Sequence, residues 1–238
     1  MRTRTPAALD AAQLTAAWQT ASLLLGYPEP GHLDLVLPLA ERASYTLPEV
    51  VGGPLRGCVA RLSEPSLEEL QADYVETFDT RRRNNLFLTY FAHGDTRKRG
   101  VALLRFKQTF LASGFELTED ELPDHLCVVL EYAATIDQGR GRQLLLDHRA
   151  GLELLRLSLT DVGSRWAGAV EAVTATLPPL RGDEWDAVRR LAAEGPPEEE
   201  VGLTPYATPG FDPGPAVADG PTLLPMPSFP APTSGGSR

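Results

Sequence analysis

The stretch Pro65–Asp79, "PSLEELQADYVETFD", decides the fold class. Ser66 and Glu69 stand at capping-box spacing, and Leu67, Leu70, Tyr74 and Phe78 recur so that one helical face is apolar. A period of about 3.6 residues runs through nearly every segment up to Glu194, whereas no alternating run reads as a strand. The expectation is an all-α protein, a compact bundle of eight or nine helices.

Working outward, Asp10 with Gln13 caps a first helix that stops at Gly26-Tyr27-Pro28. A second runs from Gly31 to Ser44 and a third, weakened by Gly52, Gly53 and Pro54, from Val50 to Leu62. Downstream, helices are predicted over Asp95 to Ser113, Pro123 to Ile136, Arg142 to Leu159, Gly163 to Leu177 and Asp183 to Ala193. Short connections favour antiparallel neighbours. The helical domain is thus expected over residues 1–194, followed by a Pro/Gly-rich flexible tail over 195–238 that has too little apolar surface to offset the entropy of ordering it.

A formal net charge of -10 over 238 residues argues against a nucleic-acid binder, whose affinity for phosphates comes from clustered cations, and favours a soluble cytosolic protein. No window reaches the roughly 18 consecutive apolar residues of a membrane span, and Asp10, Gln13 and Gln19 make the start an amphipathic helix, not a signal peptide. Cys58 and Cys127 form neither a metal-ligand spacing nor a disulfide framework and are expected as covered free thiols. There is no Gly-rich phosphate loop, no nucleophile elbow and no HExxH, and His32, His93, His125 and His148 do not pair at metal-ligand spacing. No catalytic residue, metal or cofactor is therefore expected. Two other function classes stay open: a small enzyme acting on a nucleotide or cofactor at His93, Asp95, Asp124 and His125, and a structural subunit of a stable complex.

Two polar stretches stand out. In "RRRNNLFLTYFAHGDTRKRG", Arg81, Arg82 and Arg83 on one side and Arg97, Lys98 and Arg99 on the other enclose an apolar, aromatic centre. This is either a solvated charge run, with Glu76 and Asp79 as partners, or the polar edge of a contact surface, and Asp95 is expected to cap the following helix. In "ELPDHLCVVLEY", Glu121, Asp124 and His125 crowd a loop-to-helix junction. Either Asp124 sits in the first turn as a helix-start residue, or the set is a polar contact for a partner peptide.

Taken together, "YVETFDTRRRNNLFLTYFAHGDTRKRGVALLRFKQTFLASGFEL", "ELPDHLCVVLEYAA" and the upstream "ASLLLGYPEP" resemble the respiratory nitrate reductase delta subunit, the molybdenum cofactor assembly chaperone of NarJ type within the redox enzyme maturation chaperones. The likeness covers Ala16 to Leu159. It implies a cytoplasmic all-helical chaperone, not an enzyme. Such a chaperone binds the apo catalytic alpha subunit of nitrate reductase through its N-terminal segment, keeps it competent for cofactor insertion and delays membrane attachment. Molybdenum cofactor biosynthesis proteins are further expected partners; nucleic acid and direct membrane insertion are not.

The resemblance also implies a site. Glu121, Asp124 and His125 match the family's E-x-P-D-H motif, tied to recognition of the partner's N-terminal peptide. Asp124 and His125 are expected as contacts, with Tyr74, Phe78, Tyr90, His93, Glu121, Glu131 and Tyr132 as lining or support and the two cationic runs as a contact edge. An unperturbed histidine titrates near pH 6.5, so affinity is expected to vary between about pH 6 and 8.

Overall fold

A computed structural model describes residues 9–118 and 121–195. Among them are eleven α-helices: α1 Ala11–Leu25, α2 His32–Ser44, α3 Glu49–Ser63, α4 Leu67–Tyr74, α5 Leu88–His93, α6 Arg97–Leu111, α7 Leu126–Thr135, α8 Gln138–Asp147, α9 Arg149–Asp161, α10 Ala167–Ala175 and α11 Gly182–Glu194. The all-helical expectation holds. The flexible tail expected over 195–238 lies, but for Gly195, outside the described residues.

Local signals set most boundaries. Both capping boxes form: Asp10 accepts from the Gln13 amide at 2.8 Å, and Ser66 accepts from the Glu69 amide at 3.3 Å while Glu69 reaches back to the Ser66 amide at 2.9 Å. The helix begun at Ser66 does not run on unchanged to Asp79. It widens after Tyr74 into a π-turn, Val75–Asp79, where the Thr80 amide donates to the Val75 carbonyl and both Thr77 and Phe78 face inward.

The count exceeds eight or nine for two reasons. Leu88–His93 is a separate short helix, and the single helix predicted from Arg142 to Leu159 is two, broken at His148. The His148 Nδ1–H donates to the Leu144 carbonyl at 2.9 Å, which closes α8 and lets α9 leave in a new direction.

α1 lies at the centre and packs against α2, α7 and α10, while α10 lies across α3. Trp18, Ala21, Leu24 and Leu25 of α1 meet one core with Val129, Leu130 and Ala133 of α7 and Val170 and Val173 of α10. The α3–α10 crossing needs Gly168, because a β-carbon there would strike the Pro54 carbonyl. Gly151 of α9 likewise leaves room for the Phe91 ring, which a β-carbon would meet at 2.9 Å. That contact seats α5 on α9. Cys58 is buried and Cys127 partly covered, both as free thiols that burial pushes up to about 12, so neither is a ready thiolate.

Candidate functional site: the α5–α7 junction

The two polar stretches meet at one place. Residues 86–88 and 124–126 run antiparallel as an isolated bridge between Phe87 and His125. The Leu88 amide donates to the Asp124 carbonyl at 2.9 Å, and the Leu126 amide donates to the Leu86 carbonyl at 2.8 Å. Since α5 begins at Leu88 and α7 at Leu126, the bridge sets the two helix starts side by side.

Asp124 is fully buried there. Its Oδ2 accepts from the Thr89 amide at 3.2 Å and from the Thr89 hydroxyl at 2.5 Å, so it caps α5 from across the junction and not its own helix. This corrects the expected placement of Pro123 and Asp124 in the first turn of α7: both precede the helix, and His125 holds the N-cap position. With its carboxylate enclosed, Asp124 organises the surface from beneath.

Arg99 joins the same cluster. Its Nε donates to the Thr89 hydroxyl at 3.3 Å and its Nη1 to Asp95 at 3.2 Å, while Nη2 stands 3.8 Å from Asp124 Oδ2. The guanidinium lies over the Phe87 ring at 5.3 Å and the Tyr90 ring at 6.0 Å, both favourable cation–π placements. Arg99 is therefore a tie between α5, α6 and α7, not an outward cation. Asp95 does not cap α6; Thr96 occupies that position, and the Asp95 carboxylate turns to Arg99. Asp124 Oδ1 and Arg99 Nη2 are buried without hydrogen-bond partners.

His125 is half-buried, with its ring edge-on to Phe87 at 5.1 Å. Burial lowers its pKa, and the Asp124 charge only partly opposes this. The ring is thus neutral over most of the pH 6 to 8 window expected from the sequence, and its titration moves to the acid side of pH 6.5. His93 ends α5 and is half-buried. Burial also lowers the His148 pKa, and the Leu144 carbonyl with the Asp147 and Asp124 charges only partly opposes it. Among the described residues, no group of three or more His, Cys, Asp or Glu could hold a metal ion.

The remaining expected residues divide. Tyr90 packs beside Phe91 in α5, while Glu121, ahead of α7, and Glu131, midway along it, are exposed. Tyr74 and Phe78 belong to the interior: they stack with Trp166, and the Tyr74 hydroxyl donates to the Leu25 carbonyl at 3.0 Å. Burial raises the Tyr74 pKa. Tyr132 is also buried, against Phe110 and Phe115, with its hydroxyl 2.7 Å from Ser113. These three rings support the site without lining it.

The cationic runs are not uniform either. Arg81 pairs with Glu76 at 3.0 Å, Arg83 donates to the Ala192 carbonyl of α11 at 3.2 Å, and Arg82, Arg97 and Lys98 are exposed. Sequence reasoning missed Thr89, since a lone threonine inside "LFLTYF" carries no local signal of a partner 35 residues away. It also missed a groove of about 610 Å³ between α1 and α2, lined by Ala12, Ala16, Leu23, Leu39, Ala40 and Ala43. The small residues on both helices were its only trace.

The junction thus gathers Phe87, His125 and Arg99 over the buried Asp124 carboxylate. The sequence pattern of the nitrate reductase delta subunit family matches residues 44–172, more than half of the chain. Over 159 residues the chain is 37% identical to the nitrate reductase-like protein NarX of Mycobacterium tuberculosis, covering 67% of this chain and 24% of that protein. It is 37% identical over 112 residues to a probable nitrate reductase molybdenum cofactor assembly chaperone NarJ of Bacillus subtilis, 47% of this chain and 61% of the relative. With the NarJ chaperone of Escherichia coli the figures are 33% over 148 residues, 61% and 63%. The chain thus spans less than two thirds of the length of these relatives. A putative redox enzyme maturation protein from Archaeoglobus fulgidus shares the fold, with a TM-score of 0.52 at 21% identity, covering 73% of this chain and 97% of that one. On the family match, the chain belongs to the nitrate reductase delta subunit family.

Proposed function

We propose that this chain is a non-catalytic, cytoplasmic chaperone dedicated to one client, the apo catalytic alpha subunit of respiratory nitrate reductase. It binds the N-terminal segment of that subunit, holds it competent for molybdenum cofactor insertion and delays its attachment to the membrane. The observation that carries this reading is the family match over residues 44–172, a span that includes both arms of the α5–α7 junction. The names of the Bacillus and Escherichia relatives support it.

In this reading Phe87, His93 and His125 present ring edges to the client peptide, and the exposed Leu122 adds an apolar contact. Glu121 and Glu131 form one rim; Arg81, Arg82, Arg97 and Lys98 form the other and set encounter and register. Asp124, Thr89 and Arg99 hold the surface in shape. Titrating the protein calorimetrically with the N-terminal peptide of the alpha subunit from the same organism tests this. Saturable binding is expected, about tenfold weaker for His125→Ala, the loss that one good contact gives. Asp124→Asn is expected to weaken binding only as far as it lowers the melting temperature. Equal binding by wild type and His125→Ala would move the site elsewhere, and no binding would remove the peptide-recognition reading.

A further inference from the structure

α6 is apolar on two opposite faces. Ala102, Phe106 and Phe110 are buried and, with Arg99, attach the helix to the body of the protein. At about 100° per residue, the direction opposite that face carries Val101, Leu104, Gln108 and Leu111 in one stripe, with Arg97 at its N-terminal end. Val101 is 60% exposed, Leu104 53% and Leu111 58%. Lys98 and Arg105 flank the stripe on one side and Lys107 on the other, all exposed. Gly100, two turns before Lys107 on that flank, has open space where a side chain would stand, so a partner backbone can approach closely.

Charge and shape point to the same occupant. α6 carries five cations, four of them exposed, and no acidic residue, in a chain whose net charge is -10. At its C-terminal end the stripe runs into a cavity of about 210 Å³ lined by Lys107, Phe110, Leu111, Phe115, Glu116 and Leu117, room for one large apolar side chain. Three aliphatic side chains at helical spacing, cationic flanks and a terminal socket match an amphipathic helix with acidic flanks and one bulky anchor. An anionic bilayer fits less well, because α6 turns both of its aromatic rings inward and offers none to a membrane interface.

We propose that the outward face of α6, with the socket beside Leu111 and Phe115, is a second docking surface that takes an acidic amphipathic helix of a protein partner. It borders the α5–α7 junction at Lys98, which edges both surfaces, but it does not depend on the function proposed for that site. The probe is a fluorescent helical peptide with leucines on one stripe and glutamates on its flanks, followed by anisotropy against the full chain. Its comparison is a peptide of equal composition with the leucines scrambled. Saturable, salt-sensitive binding is expected, about tenfold weaker for the scrambled peptide and for Val101→Ser/Leu104→Ser. Both substituted side chains are exposed, so helix content and melting temperature should not change. Arg105→Glu/Lys107→Glu should weaken binding as well and remove most of its salt dependence. Equal binding of both peptides, or unchanged affinity in the serine variant, overturns the proposal. So does flotation with phosphatidylglycerol vesicles in the absence of peptide binding, which would assign the face to a membrane surface.

Discussion

Asp124 and Glu153 are both buried carboxylates facing arginine, yet they are built into the molecule in opposite ways. Glu153 finds its partners on its own helix: Arg149 at 3.3 Å on one oxygen and Arg156 at 2.5 Å on the other. Asp124 finds Thr89 on α5 and Arg99 on α6, uses one oxygen, and leaves Oδ1 unpaired. The Glu153 network steadies one face of α9 beneath α10 and α11. The Asp124 network decides which segments meet. The second is less completely paired because three separate backbones must converge on a single carboxylate, and each fixes its own geometry.

The largest effect is therefore expected at Asp124. Removing it in Asp124→Ala leaves the buried Thr89 amide and hydroxyl without their acceptor and Arg99 with only the exposed Asp95 as carboxylate partner, and should destabilise the protein by about 3–5 kcal/mol in urea unfolding. Glu153→Ala should cause a smaller loss, about 1–3 kcal/mol, because Arg156 is already 24% exposed and Arg149 keeps the Thr174 carbonyl. If Glu153→Ala proved the more damaging, the contrast between the networks would fail.

A second prediction sharpens it at Gly151, where α9 touches α5. Gly151→Ala places a β-carbon against the Phe91 ring and should destabilise by about 1–2 kcal/mol, with faster amide exchange concentrated in α5. Unchanged exchange would show that the bridge alone holds α5. The smallest effect concerns pH. Burial lowers the folded-state pKa of both His125 and His148, so the unfolded chain takes up protons first. Their contribution to stability is fully present above about pH 6.5 and is lost as pH falls below it toward the folded values. The urea midpoint should decline on that acid limb, and His125→Asn or His148→Asn should flatten it; a midpoint that stays level there would mean both rings are more open than they stand here.

How much of this was legible follows from the range over which each signal acts. The caps at Asp10 and Ser66 involve residues three apart and were read correctly from the sequence. The break at His148 was not, because Leu144, Leu145, Leu152, Leu155 and Leu159 all face the core and no Gly or Pro marks the bend. Asp124 was placed wrongly: next to Pro123 it looks like a first-turn residue, while its true partner is Thr89. Arg99 looked like one of three equivalent cations for the same reason. Tyr74, Phe78 and Tyr132 fell on the apolar stripes of their helices, which marks burial but does not distinguish a groove wall from the interior.

The bridge between Phe87 and His125 also fixes an order of events. A six-residue helix such as α5 has almost no stability alone, since its nucleation cost is spread over too few hydrogen bonds. Its cap, its backbone partner and the carboxylate that orients Arg99 all arrive with residues 124–126. During synthesis the aromatic stretch after the arginines therefore waits, unstructured, until the ribosome has released the start of α7. The interval is a loop whose closure must precede any gain from α5, so the α5–α7 junction is completed after α1 to α4 have emerged and begun to pack.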